Sequence, residues 1–497
     1  MNTTSGILEK LEWIQNSLSF FLPELILAAG ILVVLTLGIA IPGLRSGKQV
    51  HGILAVGVVI VASAVTLDWN NLDSPVVLFS GMIRADKFSA WLKMLCDIAG
   101  IGALLMSLQR GIIQKHLPEY TALILTVLLG AHLLVMSTNM VMVFLALEMI
   151  SISSYVLAGF TFQQTGAEGS LKYFLFGSSA SAVMLYGFSL LYGLTGTADL
   201  ASTAFVDGIL LHQSPMLIAA GLLAMAGFFF KMAAVPMHPW APDIYEGAPM
   251  PVVAFFSIVP KLAGLGILTR FVIAVNAYGQ SSIDWQYIIG LVAIVSISAG
   301  NLAALRQRSA KRMMAYSSIA QAGILLIGVI AMTSQAVQFM LFYASVYLLA
   351  NFLVFVYLQY FEGRGIFTIP DFAGTGRSYP IPHAFLLAGL ISLTGIPPLA
   401  GFTGKLLIFT GLYESYQTQS DPILLWVLIL GLLNTVVALF YYVRIPFFAF
   451  LRDGTFTPSK YLSWENLFGL VLVLALLALF FRPDMLMGWI NKITFVL

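Results

Sequence analysis

The chain has 497 residues, of which 59% are hydrophobic and only 9% are charged. An ordinary soluble domain is about 25% charged, so this composition excludes a water-soluble fold and predicts a surface that faces lipid. The net charge of +2 gives no indication of a nucleic acid partner. The single cysteine, Cys96, excludes an internal disulfide framework and a Cys-rich iron–sulfur or zinc site.

The apolar runs predict an all-α polytopic membrane protein with about fourteen transmembrane helices. Each run is continuously apolar, without the alternation of a barrel strand, and a helix needs roughly 20 such residues to cross the bilayer. Two segments between the runs, 72–86 and 198–213, are predicted to be amphipathic, and the whole of 1–497 to form a single membrane domain. The predicted spans are 18–41, 51–67, 88–108, 117–136, 139–160, 170–194, 215–240, 251–273, 285–305, 312–331, 335–360, 383–414, 423–445 and 463–481.

The distribution of lysine and arginine predicts the orientation, because cytoplasmic loops carry an excess of both. Fourteen of the 24 Lys and Arg residues fall in odd-numbered loops, six in even-numbered loops and the termini, and four within spans. This bias predicts cytoplasmic odd-numbered loops and both termini on the outer side of the membrane.

Four ionisable residues lie at mid-membrane depth in the predicted spans: Glu148, Lys231, Lys261 and Lys405. A charge at the bilayer centre costs about 2.5–3.5 kcal/mol on insertion scales, so such residues usually face the bundle interior and serve a function. The alternative is that each is half of a structural ion pair.

Two of these lysines lie in matching segments, AGFFFK at 226–231 and AGFTGK at 400–405. Prolines beside each segment predict a broken helix, because proline removes a backbone donor and clashes with the preceding turn. Five spans separate the seventh span from the twelfth, so equivalent helices would point in opposite directions. This pattern is typical of inverted repeats with ion sites at broken helices, although so short a match in apolar sequence also arises by chance.

Burial disfavours the charged form of a lysine and a nearby carboxylate favours it, so a buried lysine with a movable partner binds and releases a proton. We therefore predict a relay from the pair Glu148/Lys231 to Lys261 and on to Lys405, joined by buried water. Candidate residues for holding that water are Ser151, Ser153, Ser154, Tyr155 and Thr403.

Four further ionisable residues have a functional and a structural interpretation. Lys172, at the start of the sixth span, is either a cytoplasmic entry residue or structural, and His238, beside the seventh, either relays protons or caps structure. For Lys93 we favour a structural role, by snorkelling or by pairing with Asp97, and we expect His132 to be a hydrogen-bonded core histidine.

The segment KMAAVPMHPWAPDIYEGAPMPVVAFFSIVPKLA (231–263) closely resembles the signature of the antiporter-like subunits of respiratory complex I, in the form typical of the subunit N family. Three other segments resemble that family: 168–197, KRMMAYSSIAQAGI (311–324) and GIPPLAGFTGKLLIF (395–409). The resemblance extends from roughly residue 20 to residue 450.

The resemblance implies fourteen spans with two inverted five-helix repeats, here 117–273 and 285–452, broken seventh and twelfth helices, and flanking helices in 1–110 and 463–497. It implies proton translocation coupled to quinone reduction elsewhere in the complex. The family's proton-relay residues carry over one by one onto Glu148, Lys231, Lys261 and Lys405. The sister subunits M and L differ from this pattern. Both usually have histidine at the position of Lys261, and subunit M has glutamate at that of Lys405. Subunit L adds a long lateral helix, whereas this chain ends soon after the fourteenth span.

The family also implies partners and a location. The expected neighbours are the antiporter-like subunit M, the small subunit K and the lateral helix of subunit L, in the bacterial inner membrane. No flavin, iron–sulfur or nicotinamide cofactor is expected in this chain, because the flavin and the clusters belong to partner subunits and quinone is reached only through the complex.

Three alternatives remain open. The chain could belong to a multi-subunit sodium/proton antiporter of the same ancestry, although the form of the 240–251 motif argues against it. It could serve a complex fed by ferredoxin or another donor, or act as a scaffold with an inactive channel, which the intact lysines oppose.

Overall fold

A computed structural model of the chain describes residues 17–40, 49–68, 72, 74–108, 116–161, 163–454 and 464–493. It shows a bundle of α-helices with one small hairpin, in which strand β1 (Val76–Leu78) pairs antiparallel with β2 (Ile83–Ala85). The segment that we predicted to be amphipathic at 72–86 contains this hairpin. The loops 41–48, 109–115 and 455–463, which carry part of the charge bias, lie outside the described residues.

The helices are numbered in chain order. They are α1 Leu22–Ala40, α2 Val50–Leu67, α3 Lys87–Ser107, α4 Leu117–Met136, α5 Met140–Ala158, α6 Gln164–Thr195, α7 Thr203–Leu211, α8 Pro215–Met232, α9 Trp240–Gly247, α10 Met250–Phe256, α11 Val259–Val275, α12 Trp285–Leu305, α13 Ala310–Ile330, α14 Ser334–Glu362, α15 Thr375–Ser378, α16 Pro380–Thr394, α17 Ala400–Gln419, α18 Pro422–Leu451, α19 Trp464–Phe481 and α20 Asp484–Ile490.

Thirteen helical segments in the described ranges are long and apolar enough to cross a membrane, with α10 and α11 together forming one of them. The remaining predicted span, 383–414, corresponds to the short apolar helix α16 and to α17 after it. The predicted all-α polytopic membrane fold is therefore confirmed, with span positions close to those expected from hydropathy.

Burial divides the bundle into a centre and a lipid-facing periphery. The α10–α11 segment is buried throughout its most apolar stretch and α13 and α14 almost throughout, whereas at most a third of the corresponding stretch is buried in α1, α2, α18 and α19. Polar groups on the central helices are thus separated from lipid by a layer of protein.

Two interruptions of helical structure lie beside lysines. Helix α8 ends at Met232, Ala233 adopts a left-handed conformation with φ of 56°, and α9 begins at Trp240. Helix α16 ends at Thr394, Gly395 follows with φ of 86°, and α17 begins at Ala400. Each connecting segment contains two prolines, which cannot donate a backbone hydrogen bond to continue a helix. The opposite orientation of the two repeats stays a prediction.

Candidate functional site

The three lysines of the predicted relay are almost completely buried, whereas the glutamate is partly exposed. Lys231 lies in the last turn of α8, Lys261 in the first turn of α11 and Lys405 early in α17, with exposed fractions of 1%, 2% and 4%. Glu148 lies in the middle of α5 and has intermediate exposure. All three lysines therefore lie beside a helix end or interruption.

Lys231 is surrounded by aromatic rings. Its Nζ lies 5.9 Å from the ring centroid of Tyr155, 6.0 Å from that of Tyr173 and 5.7 Å from that of Phe230. Trp240, the first residue after the interruption, stacks on Tyr173 at 4.4 Å and donates from its indole to the Phe230 carbonyl at 3.1 Å. These contacts hold the two helix ends together around the lysine and exclude bulk water from it.

Glu148 and Lys231 approach each other without direct contact. Glu148 accepts a hydrogen bond from Ser181 of α6, and it lies within electrostatic range of both Lys231 and Tyr155. In the described part of the chain Lys231 Nζ has no hydrogen-bond partner. The predicted pair is therefore a separated acid and base, with Tyr155 beside both.

Lys261 is bound by Ser318 of α13. Its Nζ donates to the Ser318 carbonyl and, at 2.7 Å, to the Ser318 hydroxyl. The same hydroxyl lies 3.0 Å from the Tyr245 hydroxyl and accepts from Tyr347 at 3.2 Å. Ser318 thus joins α9, α11, α13 and α14 at one buried point.

Lys405 is held by the end of the preceding helix. Its Nζ donates to the carbonyls of Leu393 and Thr394, both at 2.9 Å. The last carbonyls of a helix have no partner within it and carry the negative end of the helix dipole, so they suit an ammonium group. The interruption before α17 therefore creates the binding position for the lysine.

Gln321 connects the Lys261 and Lys405 positions. One turn after Ser318 on α13, its Nε2 donates to the Leu393 carbonyl at 3.3 Å, so this carbonyl is shared with Lys405. Its Oε1 accepts a hydrogen bond from Tyr343 of α14, one turn before Tyr347. Residues three or four apart lie on the same helix face, so these side chains form a polar stripe between the two lysines.

The close approach of α16 and α17 depends on glycine. An alanine Cβ at position 401 would overlap the Ser392 carbonyl, and one at Gly395 would lie 2.7 Å from Lys405 Cδ. We expect Gly401→Ala to lower the thermal midpoint and the amount of folded protein in membranes, because overpacking costs about 1–3 kcal/mol. Gly193→Ala is the matched control, since a Cβ there meets nothing within 4 Å. Equal stability of the two variants would contradict this packing.

A cluster of charged residues lies at one end of the bundle. Lys172 is half exposed and pairs with Glu168 at 2.8 Å and with Asp243 at 3.3 Å. Arg312 bridges Asp243 at 2.9 Å and Glu246 at 2.8 Å, so Asp243, which also pairs with Lys172, links α6, α9 and α13. Lys172 is therefore partly exposed while it is tied to the helix that follows Lys231.

The other ionisable residues singled out in the sequence are also located. His238 is part-buried in the segment between α8 and α9, and its Nδ1 has no hydrogen-bond partner within the described ranges. Lys93 is fully buried, so it does not snorkel, and it pairs with Glu24 at 2.6 Å. His132 is buried and contacts Glu24 and Asp97.

Comparison with known proteins identifies the family. The family described as NADH:quinone oxidoreductase/Mrp antiporter, TM, matches residues 137–434. NADH-quinone oxidoreductase subunit N 2 of Chloroherpeton thalassium is 36% identical over 458 residues, covering 89% of this chain and 87% of that protein. The chain belongs to the NADH-quinone oxidoreductase subunit N family. NAD(P)H-quinone oxidoreductase subunit 2 of Nostoc punctiforme is 38% identical over 84% of this chain and 78% of its own.

Solved structures agree with this family. A chain of respiratory complex I from Thermus thermophilus with bound Aureothin superimposes with a TM-score of 0.77 and 29% identity, over 94% of this chain and 98% of that one. A chain of the Mrp complex from Dietzia gives a TM-score of 0.83 over 96% of this chain and 97% of that one, but at 18% identity it shows the fold alone. The predicted resemblance is confirmed.

Four candidate site residues were not predicted from the sequence: Ser318, Gln321, Tyr343 and Tyr347. The signal available was the spacing of Ser318 and Gln321 within KRMMAYSSIAQAGI, which places both on one face of α13. Nothing local to α14 distinguishes Tyr343 and Tyr347 from the other buried aromatic residues there.

Proposed function

We propose that this chain is a proton-translocating membrane subunit of an NADH-quinone oxidoreductase, and that protons move through Glu148, Lys231, Lys261 and Lys405. The observation that carries the proposal is the environment of the lysines. All three are buried, and in the described part of the chain none of them forms an ion pair with a carboxylate. Burial without a directly paired carboxylate disfavours the charged form of a lysine, so each of them is suited to exchange a proton.

The first transfer in this proposal runs from Glu148 to Lys231, with Tyr155 beside both groups. The second runs from Lys231 to Lys261 on helices that touch, because a Cβ at Gly264, one turn after Lys261, would lie 3.2 Å from the Lys231 Cβ. Lys172 is the proposed entry residue at the accessible end, and His238 is a secondary relay candidate.

The third transfer connects Lys261 with Lys405 along the polar stripe on α13 and α14. Ser318 accepts from Lys261, and Gln321 shares the Leu393 carbonyl with Lys405. One helical turn separates the two groups, a distance that one or two buried waters would span. Proton release from Lys405 completes the path.

The driving reaction takes place outside this chain in the proposal. Quinone reduction, with its flavin and iron–sulfur clusters, belongs to partner subunits, and this subunit holds no cofactor. Its neighbours are the antiporter-like subunit M, the small subunit K and the lateral helix of subunit L, in the bacterial inner membrane with both termini outside.

A sodium/proton antiporter subunit is the second candidate, because the fold also matches a chain of the Mrp complex. Co-purification of the chain with flavin and iron–sulfur subunits favours the first proposal, and its absence favours the second. Sodium transport that is driven by quinone reduction and persists with a protonophore would assign the translocated ion as Na⁺.

Lys231→Ala tests the relay at its most enclosed position. We expect the assembled complex to translocate protons at least about tenfold more slowly, because a proton-transfer group is lost. Quinone reduction and proton uptake are measured separately in sealed vesicles. Lys492→Ala is the control, since this lysine is exposed near the end of the chain. An assembled Lys231→Ala complex that pumps at the wild-type rate would show that the relay is wrong.

A further inference from the structure

A second group of buried ionisable residues lies outside the relay, on the first four helices. It consists of Glu24 on α1, Lys93 and Asp97 on α3, and His132 on α4, and each of the four is 0% exposed. Burying several charges is costly unless they are paired and hydrogen-bonded, so the arrangement of their protons decides whether the group is stable.

The four side chains form one continuous network. Glu24 Oε1 lies 2.6 Å from Lys93 Nζ and 3.1 Å from His132 Nδ1. On the other side of the ring, His132 Nε2 lies 3.0 Å from Asp97 Oδ1. Asp97 Oδ2 accepts a hydrogen bond from Ser63 of α2 at 2.9 Å. The imidazole therefore stands between two carboxyl groups.

This geometry fixes the number of protons that the network needs. A neutral imidazole donates from only one nitrogen, so its other lone pair would face a carboxylate lone pair. Both contacts become hydrogen bonds only if the imidazole is doubly protonated or one carboxyl group carries a proton. With that proton the network is neutral, and without it one net negative charge is buried.

We propose that Glu24, Lys93, Asp97 and His132 form a buried proton-binding site, separate from the relay, that holds one exchangeable proton between the imidazole and the two carboxyl groups. Glu24 Oε2 is buried and has no hydrogen-bond partner within the described ranges, so it is an open position for that proton or for water. A metal ion is a poor alternative occupant because the Lys93 ammonium, 2.6 Å from Glu24 Oε1, would repel it.

The helices packed against the network carry other ionisable side chains, among them His51 on α2, which is fully buried. The Cys96 thiol is buried beside Asp97, and Lys93 Nζ lies 3.8 Å from Met136 Sδ. Arg270 of α11 forms a 2.7 Å ion pair with Asp86. Three further helices are neighbours. On α5, Glu148 accepts a hydrogen bond from Ser181, and on α14, Glu362 pairs with Lys311. Helix α10 is apolar.

The site therefore ties protonation to the packing of the first four helices. Glu24, Lys93 and His132 are each contributed by a different helix, and Ser63 adds the fourth. Loss of the proton would place one negative charge between these helices, where the low dielectric makes it costly.

Charge counting gives a test in the assembled complex. His132→Gln leaves two carboxylates against one ammonium, so we expect a lower thermal midpoint that recovers as the pH is lowered. Asp97→Asn leaves the Glu24–Lys93 pair and a neutral imidazole, so we expect a midpoint close to that of the wild type. The double variant should resemble Asp97→Asn, because its charges balance again.

The double variant also keeps the test decisive if His132→Gln fails to assemble, since it should then restore assembly. A pH titration followed by infrared spectroscopy should show a carboxyl or imidazolium band in the wild type that Asp97→Asn loses. Equal effects of the two single variants, additive effects in the double variant, or an unchanged infrared spectrum would overturn the proposal.

Discussion

Lys261→Met is expected to abolish proton translocation while the complex still assembles. Methionine fills a similar volume without a polar group, so the packing around α11 is retained and the amine that binds Ser318 is lost. The proton path is then cut between its two halves, and pumping measured in sealed vesicles should fall at least about tenfold.

Lys261→His is the matched variant for this position. Histidine titrates near a pH of about 6.5 and can bind the Ser318 hydroxyl, so we expect partial recovery of pumping with an optimum at lower pH. The sister subunits, which usually have histidine there, lead to the same expectation. Equal pumping by the methionine variant and the wild type would exclude Lys261 from the path.

Gln321→Leu is expected to slow proton translocation about three- to tenfold with little loss of assembly. The substitution removes one amide that bonds to the Leu393 carbonyl and to Tyr343, and one such hydrogen bond is worth about 0.5–1.5 kcal/mol. The link between the Lys261 and Lys405 positions is then interrupted.

The control is Gln359→Leu. Gln359 is a buried glutamine on α14, and its Nε2 also donates to a backbone carbonyl, that of Met106 at 3.1 Å. Both variants lose an amide of the same kind, but only Gln321 lies between relay lysines. Pumping rates are compared at equal amounts of assembled complex. If both variants slow pumping equally, the effect is structural and Gln321 has no place in the path.

Much of the fold could be predicted because hydropathy is a local property. An apolar run long enough to span the bilayer predicts a helix from its own residues, and the charges inside it can be located without knowledge of the neighbouring helices. The prolines near Lys231 and Lys405 likewise predict interruptions from the residue itself. The subdivision of the eighth span around Ser257 was not expected, although Pro260, in the first turn of α11, cannot donate the backbone hydrogen bond that would continue α10.

The contacts of the site could not be predicted, because they join helices that are distant in sequence. The segment GIPPLAGFTGK predicts the helix break, but it does not predict that Lys405 binds the carbonyls left free at the end of α16. The same holds for Glu24, which reaches Lys93 and His132 from the first helix. The partner predicted for Lys93 was Asp97, four residues away in sequence, and Glu24 was not considered.

The number of protons translocated per electron in sealed proteoliposomes tests the proposed relay most directly, with Lys405→Ala and Lys405→Arg compared with the wild type. Arginine keeps the positive charge and can bond to the Leu393 and Thr394 carbonyls, but it does not release its proton in a protein. We predict that both assembled variants translocate fewer protons per electron than the wild type. A wild-type ratio in either assembled variant would contradict a proton path through Lys405.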